Sequence, residues 1–114
     1  MPFIDSKISI SISKEQEETL KSELGQAISL IPGKSESWLM TGFEDNYHLY
    51  FRGENSQPAA FVEVKVFGRE NPEAFEKLTA KITEIFNRVL QIAPDHLYIK
   101  YEAVGNWGWN GGNF

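Results

Sequence analysis

The chain contains no cysteine, which excludes a disulfide framework, thiol catalysis and thiolate metal sites together. Histidine is almost as scarce. Only His48 and His96 could supply an imidazole, and neither forms a helix-spaced pair with a carboxylate, so a zinc or iron centre is not expected. His48 reads as a strand residue and His96 as a strand entry. Basic residues are in deficit: 11 Lys and Arg against 16 Asp and Glu give a net charge of -5. That balance argues against nucleic acid as a partner, because phosphate contacts need a surplus of cations. No run approaches the roughly 20 apolar residues of a membrane span. Asp5 and Lys7 interrupt the apolar start, and no small-residue cleavage site follows, so no signal peptide is expected. The cytoplasm is the default compartment, with export lacking a signal left open.

What is present suits one small soluble domain spanning residues 1–114, with 41% hydrophobic and 24% charged residues. The first strand is expected over residues 3–12, with Ile4, Ile8, Ile10 and Ile12 on one face. Ser13 with Gln16 forms a capping box, and Leu20, Leu24, Ala27, Ile28 and Ile31 follow at helical spacing. Pro32-Gly33 stops that helix. A strand is expected over residues 38–43, then a turn and a short strand over 47–52 that completes a hairpin.

The order then repeats. A strand over residues 60–67 points Ala60, Val62, Val64 and Val66 to one face. Asn71 caps a second helix with Pro72 at its first position, and Phe75, Leu78, Ile82, Ile85, Phe86 and Val89 form its stripe. Pro94-Asp95 breaks the chain before a strand over residues 96–104. Two β-α-β units with right-handed crossovers lay both helices on one side of one sheet. The expected architecture is an α/β two-layer sandwich.

The sheet's other face carries Asp5, Lys7, Glu63, Lys65, Lys100 and Glu102, interspersed with Phe3, Trp38, Met40, Phe61, Phe67 and Tyr98. Aromatics in such number are not left in water on so small a protein. Charge-balanced pairs between them suit a narrow, partly hydrated interior, so copies of the chain are expected to cover this face.

Several short stretches now combine. The start Met-Pro-Phe-Ile, the Pro32-Gly33-Lys34 turn, the strand Ala60 to Gly68, the run Pro94-Asp95-His96-Leu97-Tyr98-Ile99 and the tail Trp107-Gly108-Trp109-Asn110 ending in Phe114 occur in order along the whole chain. Together they resemble the macrophage migration inhibitory factor family and its tautomerase relatives. The resemblance implies a homotrimer of four-stranded sheets around a central channel, with active sites at protomer boundaries. It implies a keto-enol tautomerase, phenylpyruvate-type, acting on a small 2-oxo acid or enol without metal or cofactor. Such a reaction needs a base near neutral pKa and a group that holds charge developing on oxygen. By resemblance the base is the Pro2 amine once Met1 is removed, since a retained Met1 leaves that nitrogen a non-basic amide. Lys34 is the second catalytic group, lowering the proline pKa and binding a substrate carboxylate or carbonyl.

Phe67, with its backbone amide, is a substrate-binding residue by the same resemblance, and Trp38, Trp107, Trp109 and Phe114 are apolar walls. Tyr98 and Lys100 come from the neighbouring protomer. Proline at this position also directs Met1 removal irrespective of catalysis, and the aromatics also suit ordinary packing. Lys100 stands where the family's vertebrate cytokine has asparagine, which makes the pocket more cationic and leaves an isomerase of unsaturated dicarboxylates as one alternative. A secreted cytokine-like protein acting on a host receptor is another.

Overall fold

The computed structural model describes residues 1–114. Strand β1 (Pro2–Ile8) alternates strictly, burying Pro2, Ile4, Ser6 and Ile8 and leaving the residues between them half-exposed. Helix α1 (Lys14–Ala27) starts where Ser13 Oγ accepts a hydrogen bond from the Gln16 amide at 3.0 Å. Gln16 Oε1 in return accepts from the Ser13 amide at 2.9 Å, so two amides that a helix start would orphan are satisfied. Leu20, Leu24, Ala27 and Ile28 turn inward, and a single 3-10 turn (Ile28–Leu30) carries the chain to buried Ile31.

Strand β2 (Met40–Glu44) follows, and β3 (Ala60–Phe67) repeats the clean alternation. Helix α2 (Pro72–Leu90) is capped by Asn71 Oδ1, which accepts from the Ala74 amide at 3.1 Å, with Pro72 where its missing N–H leaves no bond unmade. It ends at Gln91, whose φ of 55° breaks the helical path. Strand β4 (Leu97–Val104) leads to a small hairpin, β5 (Gly108–Trp109) and β6 (Gly112–Asn113). Its two turn residues, Asn110 and Gly111, have φ of 53° and 83°, the left-handed pair that a two-residue hairpin turn demands.

The main sheet has the order β2-β1-β3-β4, with β1–β2 and β3–β4 parallel and β1–β3 antiparallel. Each β-α-β unit is thus a parallel crossover. Both helices pack on one face, where Ile4, Ile8, Val62, Val64 and Val66 meet Leu20, Leu24, Leu78, Ile82, Ile85 and Phe86 in one core. Each fully buried Leu, Ile or Phe contributes about 1.5–3 kcal/mol of apolar transfer.

Three expectations from the sequence are corrected. Strand β1 ends at Ile8, because Ser9 leaves the ladder to bond Ala59 through both its amide (3.0 Å) and its hydroxyl (2.9 Å). Ile10 and Ile12 keep the apolar rhythm from outside the sheet, packing half-buried against the core edge. Trp38 is not in a strand: Glu36–Trp38 form a 3-10 turn, and pairing starts at Met40. The hairpin through residues 47–52 is absent, and His48 with it leaves the strand class. The amides of Asn46 and Tyr47 instead bond the carbonyls of Ile10 (3.1 Å) and Ile8 (3.0 Å), and the chain then turns through Arg52 and Gly53 at positive φ.

On the sheet's other face the charges pair. Lys7 Nζ lies 3.2 Å from Asp5, while Lys100 Nζ lies 4.0 Å from Glu63 and 3.8 Å from Glu102. Glu63 therefore turns across the strands to Lys100 rather than along its own strand to Lys65.

Candidate active site

The N-terminus enters the sheet beside the end of β3, where Pro2 is the register partner of Val66. Just beyond, the Phe67 peptide group makes two bonds. Its N–H donates to the Met1 carbonyl at 3.0 Å, and its carbonyl accepts from Lys34 Nζ at 2.6 Å. Lys34 reaches this point because the chain reverses at Pro32-Gly33. Buried Ile31 anchors the turn, Gly33 takes a φ of 83°, and the Lys34 amide closes onto the Ile31 carbonyl at 3.1 Å. Phe67 thus holds the first residue and the lysine in one place.

Around them lies a cleft of about 290 Å³ lined by Met1, Gly33, Trp38, Phe67, Trp109 and Phe114. Trp38 meets Trp109 edge-on, with ring centroids 5.1 Å apart. Phe114 lies 5.4 Å from Phe67 and nearly parallel to Trp109 at 6.3 Å. Such contacts make rigid apolar walls. The walls remain unfinished: Trp38, Trp109 and Phe114 are 49%, 52% and 54% exposed. Burial first, and the Lys34 ammonium second, hold the Met1 amine below its ordinary pKa. An amine at this corner is therefore biased towards its neutral form.

The other residues singled out from the sequence lie elsewhere. Pro2 is buried behind Met1, next to the cleft but not on its lining. Trp107 is half-buried with its carbonyl bonded to the Phe114 amide at 3.0 Å, and it supports the tail rather than the cleft wall. Tyr98 and Lys100 project from β4, whose Val104 is the partner of Phe67. At 3.3 Å per residue, roughly 20 Å and 13 Å of strand separate them from that end within one protomer. Tyr98 instead meets Phe51 edge-on at 5.5 Å and lines a second, apolar cavity of about 180 Å³ with Leu49, Phe51 and His96. Neither this cavity nor the Phe67 carbonyl as the lysine's acceptor was anticipated. The aromatic run of residues 47–51 was a signal for the first, but a backbone acceptor leaves no mark on a sequence.

The family model described as macrophage migration inhibitory factor matches residues 1–114. The chain belongs to the macrophage migration inhibitory factor family. The crystal structure of Leishmania major MIF2 is 30% identical, with a TM-score of 0.91 over 100% of this chain and 97% of that one. The macrophage migration inhibitory factor homologue from Prochlorococcus marinus is 27% identical, with a TM-score of 0.87 over 98% of each chain. Pt0534, solved after inactivation by 2-oxo-3-pentynoate, is 15% identical with a TM-score of 0.85 over 96% of this chain and 93% of that one, a likeness of fold alone. None of the curated proteins compared with the chain matches it. The four-stranded mixed sheet with two helices is the fold of these family structures, and membership supports a tautomerase-type function.

Proposed function

We propose that the chain is a keto-enol tautomerase acting on a phenylpyruvate-type 2-oxo acid, with the Pro2 amine as its base after Met1 is removed. The observation that carries this reading is the corner where the N-terminus, Lys34 and the Phe67 peptide meet inside an aromatic cleft. Removal of Met1 does two things there. It turns the Pro2 nitrogen from an amide into a secondary amine, and it deprives the Phe67 N–H of its acceptor, the Met1 carbonyl. The freed N–H becomes a donor for a substrate oxygen.

The residues then divide the work. The same burial and the same lysine that depress the Met1 amine act on the Pro2 amine, which is set deeper in the chain. Neutral Pro2 takes the proton from the carbon beside the carbonyl, and negative charge grows on the carbonyl oxygen. The Lys34 ammonium and the Phe67 N–H offset that charge. The prolinium returns its proton to that oxygen, so the enol leaves and the base is restored. Trp38, Trp109 and Phe114 hold the aryl group, and Trp107 backs them. In a homotrimer, Tyr98 and Lys100 of a second copy complete the open side. The sheet's bare face supports this assembly, since Met40 and Tyr98 lie 73% and 61% exposed on it.

The test is turnover of phenylpyruvate enol by the processed chain. Activity should vanish in Pro2→Gly and in chains that retain Met1. Equal rates in these forms overturn the proposal. A second readout uses 2-oxo-3-pentynoate, whose alkyne is conjugated to a ketone and accepts addition of a neutral amine. It should label the Pro2 nitrogen of the processed chain, and Lys34→Ala, which removes the positive neighbour that disfavours the charged amine, should slow that labelling at neutral pH.

A further inference from the structure

The cleft and the charged face treat their lysines differently. Lys34 has a neutral partner, the Phe67 carbonyl, so its full charge is available to an anion. Lys100 lies between two carboxylates, opposite Glu63 in register and two residues from Glu102 on its own strand. In a free protomer these are surface pairs of small worth, with side-chain exposures of 56% for Lys100, 49% for Glu102 and 21% for Glu63. Enclosed between protomers, the same charges act through less water and the neutralisation becomes effective.

We propose that Glu63 and Glu102 determine the charge of the substrate: by neutralising Lys100 they leave Lys34 as the free ammonium of the two, so the site takes an aryl monocarboxylate and rejects dicarboxylates. The proposal rests on the tautomerase reading above, because Lys100 approaches the cleft only across a protomer boundary. It deepens that reading by assigning the selectivity to two residues that touch no substrate. Selectivity is a difference of affinities. Here it arises because a second carboxylate entering the site finds a cation already satisfied, with two negative charges behind it. The alternative of an unsaturated dicarboxylate substrate depended on Lys100 being free, and its two partners remove that support.

A matched pair of inhibitors tests this. Phenylpropanoate carries one carboxylate, and phenylsuccinate has the same aryl body with a second. Calorimetric titration of the processed trimer should show phenylpropanoate binding about fivefold more tightly, the factor that one modest charge interaction supplies. In the Glu63→Gln, Glu102→Gln double variant, whose side chains keep their size, the ratio should fall to about one or invert. Adding Lys100→Met to that variant should abolish the gain for phenylsuccinate, which separates a freed lysine from a general loosening of the sheet. A ratio that is the same in wild type and double variant overturns the proposal, as does a wild type that prefers phenylsuccinate. Failure of both acids to bind wild type overturns the tautomerase reading as well. It is told apart from failure of the charge assignment alone, in which phenylpropanoate binds and the ratio does not move.

Discussion

The two β-α-β units follow one plan but differ in how each helix returns to the sheet. In the second unit Gln91 breaks α2 at once, and residues 91–96, with one 3-10 turn at Pro94–His96, bring the chain into β4. In the first, residues 28–39 intervene, with a 3-10 turn at each end and the Pro32-Gly33 reversal between them. That longer path sets Lys34 against Phe67 and Trp38 against Trp109. The units also differ at their first strands, since β1 begins at the N-terminus and β3 is entered from a loop. The shared plan builds the core, and the candidate chemistry gathers where the first unit departs from it.

If the units are equal as scaffold, equivalent core truncations should hurt equally. Leu20→Ala in α1 and Leu78→Ala in α2, both fully buried, should each cost about 2–5 kcal/mol in denaturant unfolding. A cost confined to one of them would mean that one unit folds around the other. The chemical asymmetry is tested next. Lys34→Ala should lower kcat/KM for phenylpyruvate by about a hundredfold or more, the usual penalty for losing one charge-stabilising donor. Its unfolding free energy should change by less than about 1 kcal/mol, because the bond removed is a single partly exposed one. A large loss of stability would recast Lys34 as a structural tie.

Smaller effects sharpen the same contrast. Ser13→Ala and Asn71→Ala remove matching caps from the two helices, and each should cost about 1 kcal/mol without moving kcat/KM. Smallest is Gly25→Ala in α1. The added methyl meets the Glu36 side chain from its carboxylate to Cγ, and once this exposed side chain swings aside helix propensity should give a gain of up to about 1 kcal/mol. A measured loss would show that Glu36 is pinned against α1 and helps to hold the Lys34–Trp38 segment.

These contrasts also explain what the sequence made legible. The capping box at Ser13-Gln16, the Asn71-Pro72 start and the alternation of β3 are local signals, and each appears where local chemistry places it. Ile10 and Ile12 misled because apolar alternation reports burial, not pairing, and both residues pack on the core after the ladder has ended. The expected strand over residues 47–52 had strand-like composition but finds only isolated backbone partners, Ile8 for Tyr47 and Glu54 for Phe51, and no continuous ladder. For the candidate site, family resemblance supplied the residue set. The meeting of Lys34 with the Phe67 carbonyl joins residues far apart in the chain through a backbone atom, which no pattern of side chains encodes.

The most direct test follows the isotope-labelled Pro2 nitrogen of the processed chain by NMR as pH is varied. Burial and Lys34 both disfavour the charged form of the Met1 amine at this corner, and the same two influences on Pro2 should make it titrate below the ordinary range of a terminal proline. Lys34→Ala should move that titration upward, because it removes the positive neighbour while leaving the burial. A Pro2 nitrogen that titrates in the ordinary range of a terminal proline, unmoved by Lys34→Ala, would contradict the account.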